Sequence, residues 1–432
     1  MTEAPESNAM EWPIPASERT YLRELAGKQA GYAALPVMAE RKRMWYDLND
    51  ARPGARPPVI VEARTFDRDF LPEGVWRCAS EAGRKIETQL LRNLRNHELI
   101  DDDKVMPEGF DFGWFTDIDE LGVKIERQVM KDAQGQDAGY HFLHPIKDLP
   151  RDFGLLRPAV CRVDRQQTAA YQAFLEELLG DLLPVRLRTG LFGCTMLTHR
   201  VIELMGMEAF FVAMYDCPEA VHRLMAYLRD NALRVMRWAE AEGLLRVNNG
   251  NQASFGSSYN FTARLPAPGH SGGAAARLAD MWGSANSQET IGVSPEMFHE
   301  FCFPYYREAC APMGLLYWGC CEPAHPFWAD LRALPHLKNV SISKWCDQRM
   351  MGEALRGTEL VFSRKPDPNF LSVDARLDEA AWAAHIRETL EAARGAFLEF
   401  IVRDVYTVHG DLNNPRRAVA VARREIDRHW RG

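Results

Sequence analysis

Two adjacent thiols and a carboxylate stand at one junction of this chain, in the run Trp318-Gly319-Cys320-Cys321-Glu322-Pro323-Ala324. The preceding Gly314-Leu315-Leu316-Tyr317 reads as a short buried strand, and Pro323 suits the first turn of a helix. Thiolate and carboxylate are donor types that hold Zn²⁺, and the strand-to-helix edge is the reactive one in an α/β barrel. The competing reading is a pair of buried small residues, since a free cysteine packs like a small hydrophobe. Side chains alternate along a strand, so a regular strand through 315–322 points Cys320 and Glu322 one way and Cys321 the other. A further thiol must then come from elsewhere. Cys346 ends the next strand candidate, and neighbouring strands lie about 5 Å apart. His325, one turn into the following helix, is a substitute ligand.

Other strand ends supply polar groups. Glu62 closes a first strand, and Asn248, Asn249, Asn251 and Gln252 crowd the end of another. Trp282, Gln288 and Glu289 follow a third, while Arg364 and Lys365 follow a fourth and could hold a substrate carboxylate. Only one of that pair can face inward. Arg403 and Asp404 end the last strand, where Asp404 either works as an acid–base group with Glu289 or simply pairs with Arg403 or Lys365. For each of these residues taken singly, structural pairing is the competing role. Their shared placement at the same ends of successive strands is what draws them together.

The elements that must position these groups alternate. Strand candidates fall at 58–62, 183–187, 245–249, 278–282, 315–320, 340–343, 360–363 and 397–402, with helical stretches between them. Repeated strand-then-helix units predict a distorted (β/α)8 TIM barrel. Residues 1–56 read as a flexible lead followed by helices broken at Pro36. Residues 57–432 read as the barrel, with 101–155 as an inserted cover subdomain. Asp216 and Ser294 read as helix N-caps ahead of Pro218 and Pro295. The Gly-rich stretch 270–274 reads as a mobile loop without a phosphate-cradling motif.

Composition bounds the partners. The 432 residues carry a formal charge of −8 and 46% hydrophobic residues, enough for a large core. No basic block suggests nucleic acid. Nine cysteines in so long a chain argue against a disulfide framework. The polar first fifteen residues lack an apolar signal core, and no apolar run reaches bilayer length. The expectation is a soluble, cytoplasmic protein with reduced thiols.

The runs Asp280-Met281-Trp282-Gly283, Ser287-Gln288-Glu289-Thr290, Val293-Ser294-Pro295-Glu296-Met297-Phe298, Trp318-Gly319-Cys320-Cys321-Glu322-Pro323 and Phe362-Ser363-Arg364-Lys365-Pro366 resemble the uroporphyrinogen decarboxylase-like superfamily. They look closer to its corrinoid-dependent methyltransferase branch. The resemblance spans roughly 57–430 and implies a barrel with its site at the C-terminal strand ends. Two departures stand out. The decarboxylases' arginine-rich first strand is replaced by Pro58-Val59-Ile60-Val61-Glu62-Ala63-Arg64, which argues against porphyrinogen decarboxylation. The branch's His-x-Cys zinc motif with a distant cysteine is also broken, since Trp318 stands two residues before Cys320 and no cysteine follows Cys346. No cobalamin-binding Asp-x-His-x-x-Gly occurs, so a corrinoid must arrive on a separate protein.

The resemblance implies a methyltransferase that moves a methyl group from a small methylated donor to a partner corrinoid protein. Zinc, held by Cys320, Glu322 and Cys346, would act as a Lewis acid on the donor. Glu289 and Asp404 would do acid–base work. Glu62, Asn249, Trp282, Gln288, Arg364 and Lys365 would contact substrate. The alternatives are a metal-free decarboxylase of a small carboxylic acid and a non-catalytic ligand-binding barrel. The sequence carries no signal for the donor's identity or for the oligomeric state.

Overall fold

A computed structural model describes residues 12–131, 137–189, 194–254, 256–270 and 275–431. Ser271 to Ala274 of the Gly-rich stretch lie outside the described residues. Two helices lead the chain, α1 (Ala16–Ala33) and α2 (Pro36–Asn49). Pro36 opens α2, where its missing N–H has no helical partner to lose. Thirteen strands follow: β1 (Val59–Val61), β2 (Phe110–Gly113), β3 (Phe115–Asp119), β4 (Glu126–Lys131), β5 (Asp137–Leu143), β6 (Val160–Asp164), β7 (Val185–Arg188), β8 (Cys194–Thr195), β9 (Trp282–Ala285), β10 (Leu315–Trp318), β11 (Leu337–Ile342), β12 (Val361–Arg364) and β13 (Phe397–Val402).

Seven of them form one parallel sheet in the order β1-β13-β12-β11-β10-β9-β8. Chain order runs around this sheet as it does in a TIM-like α/β fold. Among the described residues no strand ladder joins β1 to β8. The free edge of β1 is instead covered by side chains. Asp103 and Asp102 accept from the backbone N–H of Val59 and Val61, each at 2.8 Å, and the Lys104 ammonium donates to the Val61 carbonyl. Buried backbone groups must find partners, and here two carboxylates and an ammonium take the place of a strand.

The remaining strands pair outside this sheet: β2 with β7, β3 with β6 and β4 with β5. These pairings cross residue 155, joining β2 and β3, before it, to β7 and β6, after it. The segments expected as barrel strands at 183–187 and 245–249 do not join the parallel sheet. The first forms β7 beside β2. The second carries no strand, but the Asn248 side chain brackets Trp282, accepting from its N–H at 2.8 Å and donating to its carbonyl at 3.0 Å. A side-chain amide thus mimics the backbone pairing that β9 lacks at its start. Ser294 caps the helix Pro295–Phe301, accepting from Met297 N. Asp216 instead ends the helix Met207–Asp216, and Cys217 precedes the next one.

Alternation along the strands sorts the side chains. Leu316, Trp318, Val340, Ile342, Phe362, Leu398, Phe400 and Val402 belong to the apolar layer shared with the outer helices. Tyr317, Asn339, Ser341, Ser363 and Glu399 occupy the other face and are fully buried. Trp45 and Leu48 of α2, with Phe261, close the N-terminal end of that inner face against Ile60, Val361 and Ile401. The segment 256–262 threads beside them: Ser258 donates to Glu399 Oε2 at 2.9 Å and accepts from Asn339 at 3.2 Å. Gly256 lies so close to Tyr317 that a Cβ there would stand 2.2 Å from the ring. Among the described residues, no helix is long and apolar enough to cross a membrane.

Candidate active site at the C-terminal strand ends

The thiol-bearing turn is made by Gly319, at φ 97°, where a Cβ would stand 2.8 Å from Ser341 Cβ. Only glycine holds that backbone at low strain. The left-handed residue ends the regular alternation. The thiols therefore do not diverge as a continued strand would require, and Cys320 Sγ and Cys321 Sγ come within 3.4 Å. Glu322 turns back on the backbone, accepting from Ser287 N at 3.0 Å and Cys320 N at 2.9 Å, one on each carboxylate oxygen. Burial pushes its carboxyl above the usual range. Ser341 Oγ donates to the Cys320 carbonyl at 2.6 Å, which fixes the turn from β11.

The end of β13 meets this turn. Cys321 donates to Asp404 Oδ2 at 3.2 Å. Asp404 has φ 59°, a left-handed conformation uncommon outside glycine. Arg403 Nε lies 3.3 Å from Glu62 Oε2 and 3.5 Å from Asp404 Oδ1. Glu62 also accepts from Ser257 Oγ at 2.8 Å. The Cys320 thiol is held below the ordinary thiol value, first by its hydrogen-bonding contact with the Cys321 sulfur and then, against burial, by the Arg403 charge. Cys321 moves the other way, its proton retained by the adjacent Cys320 sulfur and by burial. The two sulfurs, in contact with each other, are thus driven in opposite directions.

Beneath the thiols sits Lys365, fully enclosed, donating to Ser363 Oγ at 2.7 Å and to the Tyr317 hydroxyl. Burial pulls its ammonium down to about 8, with Glu399 opposing and Arg403 adding to the fall. Burial likewise pushes Glu399 up, while Lys365 opposes. Arg364, one residue earlier, points outward: its guanidinium donates to the Ser343 carbonyl at 2.8 Å, and burial lowers its pKa to about 10.

The structure gathers Cys320, Cys321, Asp404, Arg403, Glu62 and Lys365 at the ends of β10, β13, β1 and β12. Other candidates stand in structural bonds. Asn249 donates to the Leu265 carbonyl at 2.6 Å, and the Trp282 indole donates to the Asn260 carbonyl at 3.0 Å. Gln288 is half-buried in the short turn Gln288–Thr290. Glu289 is held by Thr198 Oγ at 2.8 Å and His199 Nδ1 at 3.1 Å. Cys346 packs in the outer apolar layer, and burial raises its thiol. Among the described residues no three His, Cys, Asp or Glu side chains converge as a metal-holding group. A zinc held by Cys320, Glu322 and Cys346 does not fit: both Glu322 oxygens are taken by amides, and Cys346 lies in the layer outside the sheet.

Sequence reasoning passed over Tyr317 and Glu399 and, though it noted Cys321 and Arg403 at strand ends, assigned them no role in the site. The signal was present in the period of two: Glu399, Ile401 and Arg403 share one face of β13 and its continuation, and a strand that buries charge on one face flags a polar interior.

No family model matches the chain, and no curated protein matches it. Among solved structures, it is similar to a methyltransferase from Methanosarcina mazei, at 13% identity and a TM-score of 0.49, covering 90% of this chain and 98% of that one.

Proposed function

We propose that this protein is a methyltransferase that takes a methyl group from a small methylated donor and delivers it to a corrinoid carried by a separate protein. The observation that carries the reading is the Cys320–Cys321–Asp404 chain at the C-terminal strand ends, with the Cys321 S–H directed at Asp404. When a methyl group leaves a heteroatom, the heteroatom keeps the bonding pair and gains a proton. The Cys321 S–H supplies that proton, and Asp404 orients it. Arg403 sets the local field at the two sulfurs, and the enclosed Lys365 holds positive charge beneath them. The partner's corrinoid would supply the nucleophile that accepts the methyl group.

The test incubates purified protein with cob(I)alamin and separate panels of methylated amines, ethers, thioethers and halides. Cobalt spectra and mass spectrometry of the demethylated product are followed. Transfer that is lost in Cys321→Ala supports the reading. Silence across every donor class removes it.

A second reading draws on a different observation. Lys365 and Arg403 put two cations at the same strand ends, which suits holding a carboxylate for decarboxylation. Release of labelled CO₂ from small carboxylic acids, without methyl transfer, would select it.

A further inference from the structure

The open side of the sheet, beside β1, holds a cavity of about 610 Å³, within the size range of small-molecule sites. Its inner wall includes Glu62 and Arg403, so it runs up to the thiol site. Five buried polar atoms that make no hydrogen bond line it: Arg41 Nε, Arg92 Nε, Thr65 Oγ1, Asp67 Oδ1 and His97 Nδ1. Arg41 is only 4% exposed. A buried polar group without a partner costs free energy, and so many around one space call for a ligand that satisfies them.

Both guanidinium groups are anchored from behind. Arg41 reaches Asp101 at 2.6 Å and the Lys104 carbonyl at 3.2 Å, and Arg92 pairs with Asp67 Oδ2. Their Nε–H groups stay free, as preorganised donors. Arg64 lines the same cavity from an exposed position. Burial lowers the pKa of His97 and so favours its neutral form, which can accept a hydrogen bond. The wall therefore offers cationic donors and the Thr65 hydroxyl for an anion, and Asp67 Oδ1 with His97 Nδ1 for a donor group.

We propose that this cavity binds the body of the substrate, and that the substrate is a small hydroxylated carboxylic acid. Its carboxylate lies against Arg41, Arg92 and Thr65, its hydroxyl faces Asp67 and His97, and its reacting end is directed to the Cys320–Cys321 turn. The assignment rests on the methyl-transfer reading for the reaction, but the binding stands apart from it.

Titration calorimetry of the full chain with mandelate, a hydroxy acid, and with mandelamide, its uncharged counterpart, tests the proposal. Mandelate binds, and mandelamide binds at least about tenfold more weakly, as loss of a charged hydrogen bond implies. Arg92→Gln weakens mandelate about ten- to a hundredfold. Thr65→Val, which removes one hydroxyl and leaves the Arg92–Asp67 pair intact, weakens it severalfold, so an unstable Arg92 variant does not protect the idea. Absent mandelate binding, equal binding of acid and amide, or unchanged affinity in both variants overturns the assignment. Methyl transfer from an uncharged donor by a protein that fails to bind mandelate overturns the cavity alone. Mandelate binding that follows the variants, without methyl transfer from any donor, overturns the reaction reading alone.

Discussion

The Cys321 thiol donates to Asp404 Oδ2 across 3.2 Å and so ties the end of β10 to the end of β13, 83 positions apart in the chain. Each side needs unusual backbone to reach: Gly319 at φ 97° and Asp404 at φ 59°. Backbone held in sparsely populated regions at two facing strand ends is typical of places where geometry serves chemistry.

Iodoacetamide should find the two sulfurs unequal. Cys320, held low by Cys321 and Arg403, is expected to stay reactive at pH values below the ordinary thiol pKa of about 8.5, with Cys321 lagging. Cys321→Ala removes the main stabilising hydrogen bond and moves the Cys320 profile upward. Peptide mass spectrometry across pH reads both. A Cys320 profile at or above the free-thiol value would show that Cys321 and Arg403 do not lower its pKa.

His199 bridges Glu289 at 3.1 Å and Glu203 at 3.4 Å, and these carboxylates raise its pKa to about 9. Its unfolded value is near 6.5. The charged pairing therefore stabilises fully below about 6.5 and fades as pH rises through about 9. Glu203, lowered to about 2, keeps its share down to strongly acid pH. Melting temperature should fall from pH 6.5 to 9 in the native chain, and His199→Gln should flatten that slope while removing on the order of 1 kcal/mol at neutral pH. An identical slope in the variant would place the pH dependence elsewhere.

Gly256→Ala drives a methyl group into the Tyr317 ring. Overpacking of this kind costs about 1–3 kcal/mol. Pairing it with Tyr317→Leu should restore part of the loss, because the two sites touch and their effects do not add. Urea unfolding of the single and double variants measures it, and strictly additive losses would contradict the contact.

Asp102 accepts from Val61 N–H and Asn96 Nδ2 at 2.8 and 2.7 Å. Asp102→Ala leaves the Val61 N–H at the β1 edge unpartnered and should cost about 1–3 kcal/mol. Hydrogen exchange at Val61 should accelerate well ahead of that at Phe362 in the centre of the sheet. Equal protection at the two positions would mean that the edge is sealed by something else.

The parallel strands from β10 to β13 and the helices between them were legible, because short apolar runs between amphipathic stretches are a local signal; the strand expected at 278–282 begins only at Trp282, after the turn Leu278–Asp280. The thiol turn was legible as chemistry but not as geometry. Alternation was extended through Gly319, whose left-handed backbone depends on the close approach of Ser341. Glu322 was assigned to metal by residue type, yet its partners are backbone amides, one of them on β9's far end, invisible to spacing. The edge cover at 102–104 and the Asn248 bracket were illegible for a related reason. Side chains there do the work of a strand, and no periodicity announces it. Asp404 and Glu62 were readable because each directly follows a buried run.

The pairing of β1 with β13, Val59 against Phe400 through Val61 against Val402, joins the strands of the parallel sheet that lie farthest apart in sequence. During synthesis β1 therefore waits for β13 before it gains a backbone ladder, and a long loop must close before that contact rewards it. During that interval α2 and the carboxylates at 102 and 103 are the partners close by in sequence. Contacts of that kind occupy the β1 edge groups that would otherwise offer a template to foreign strands.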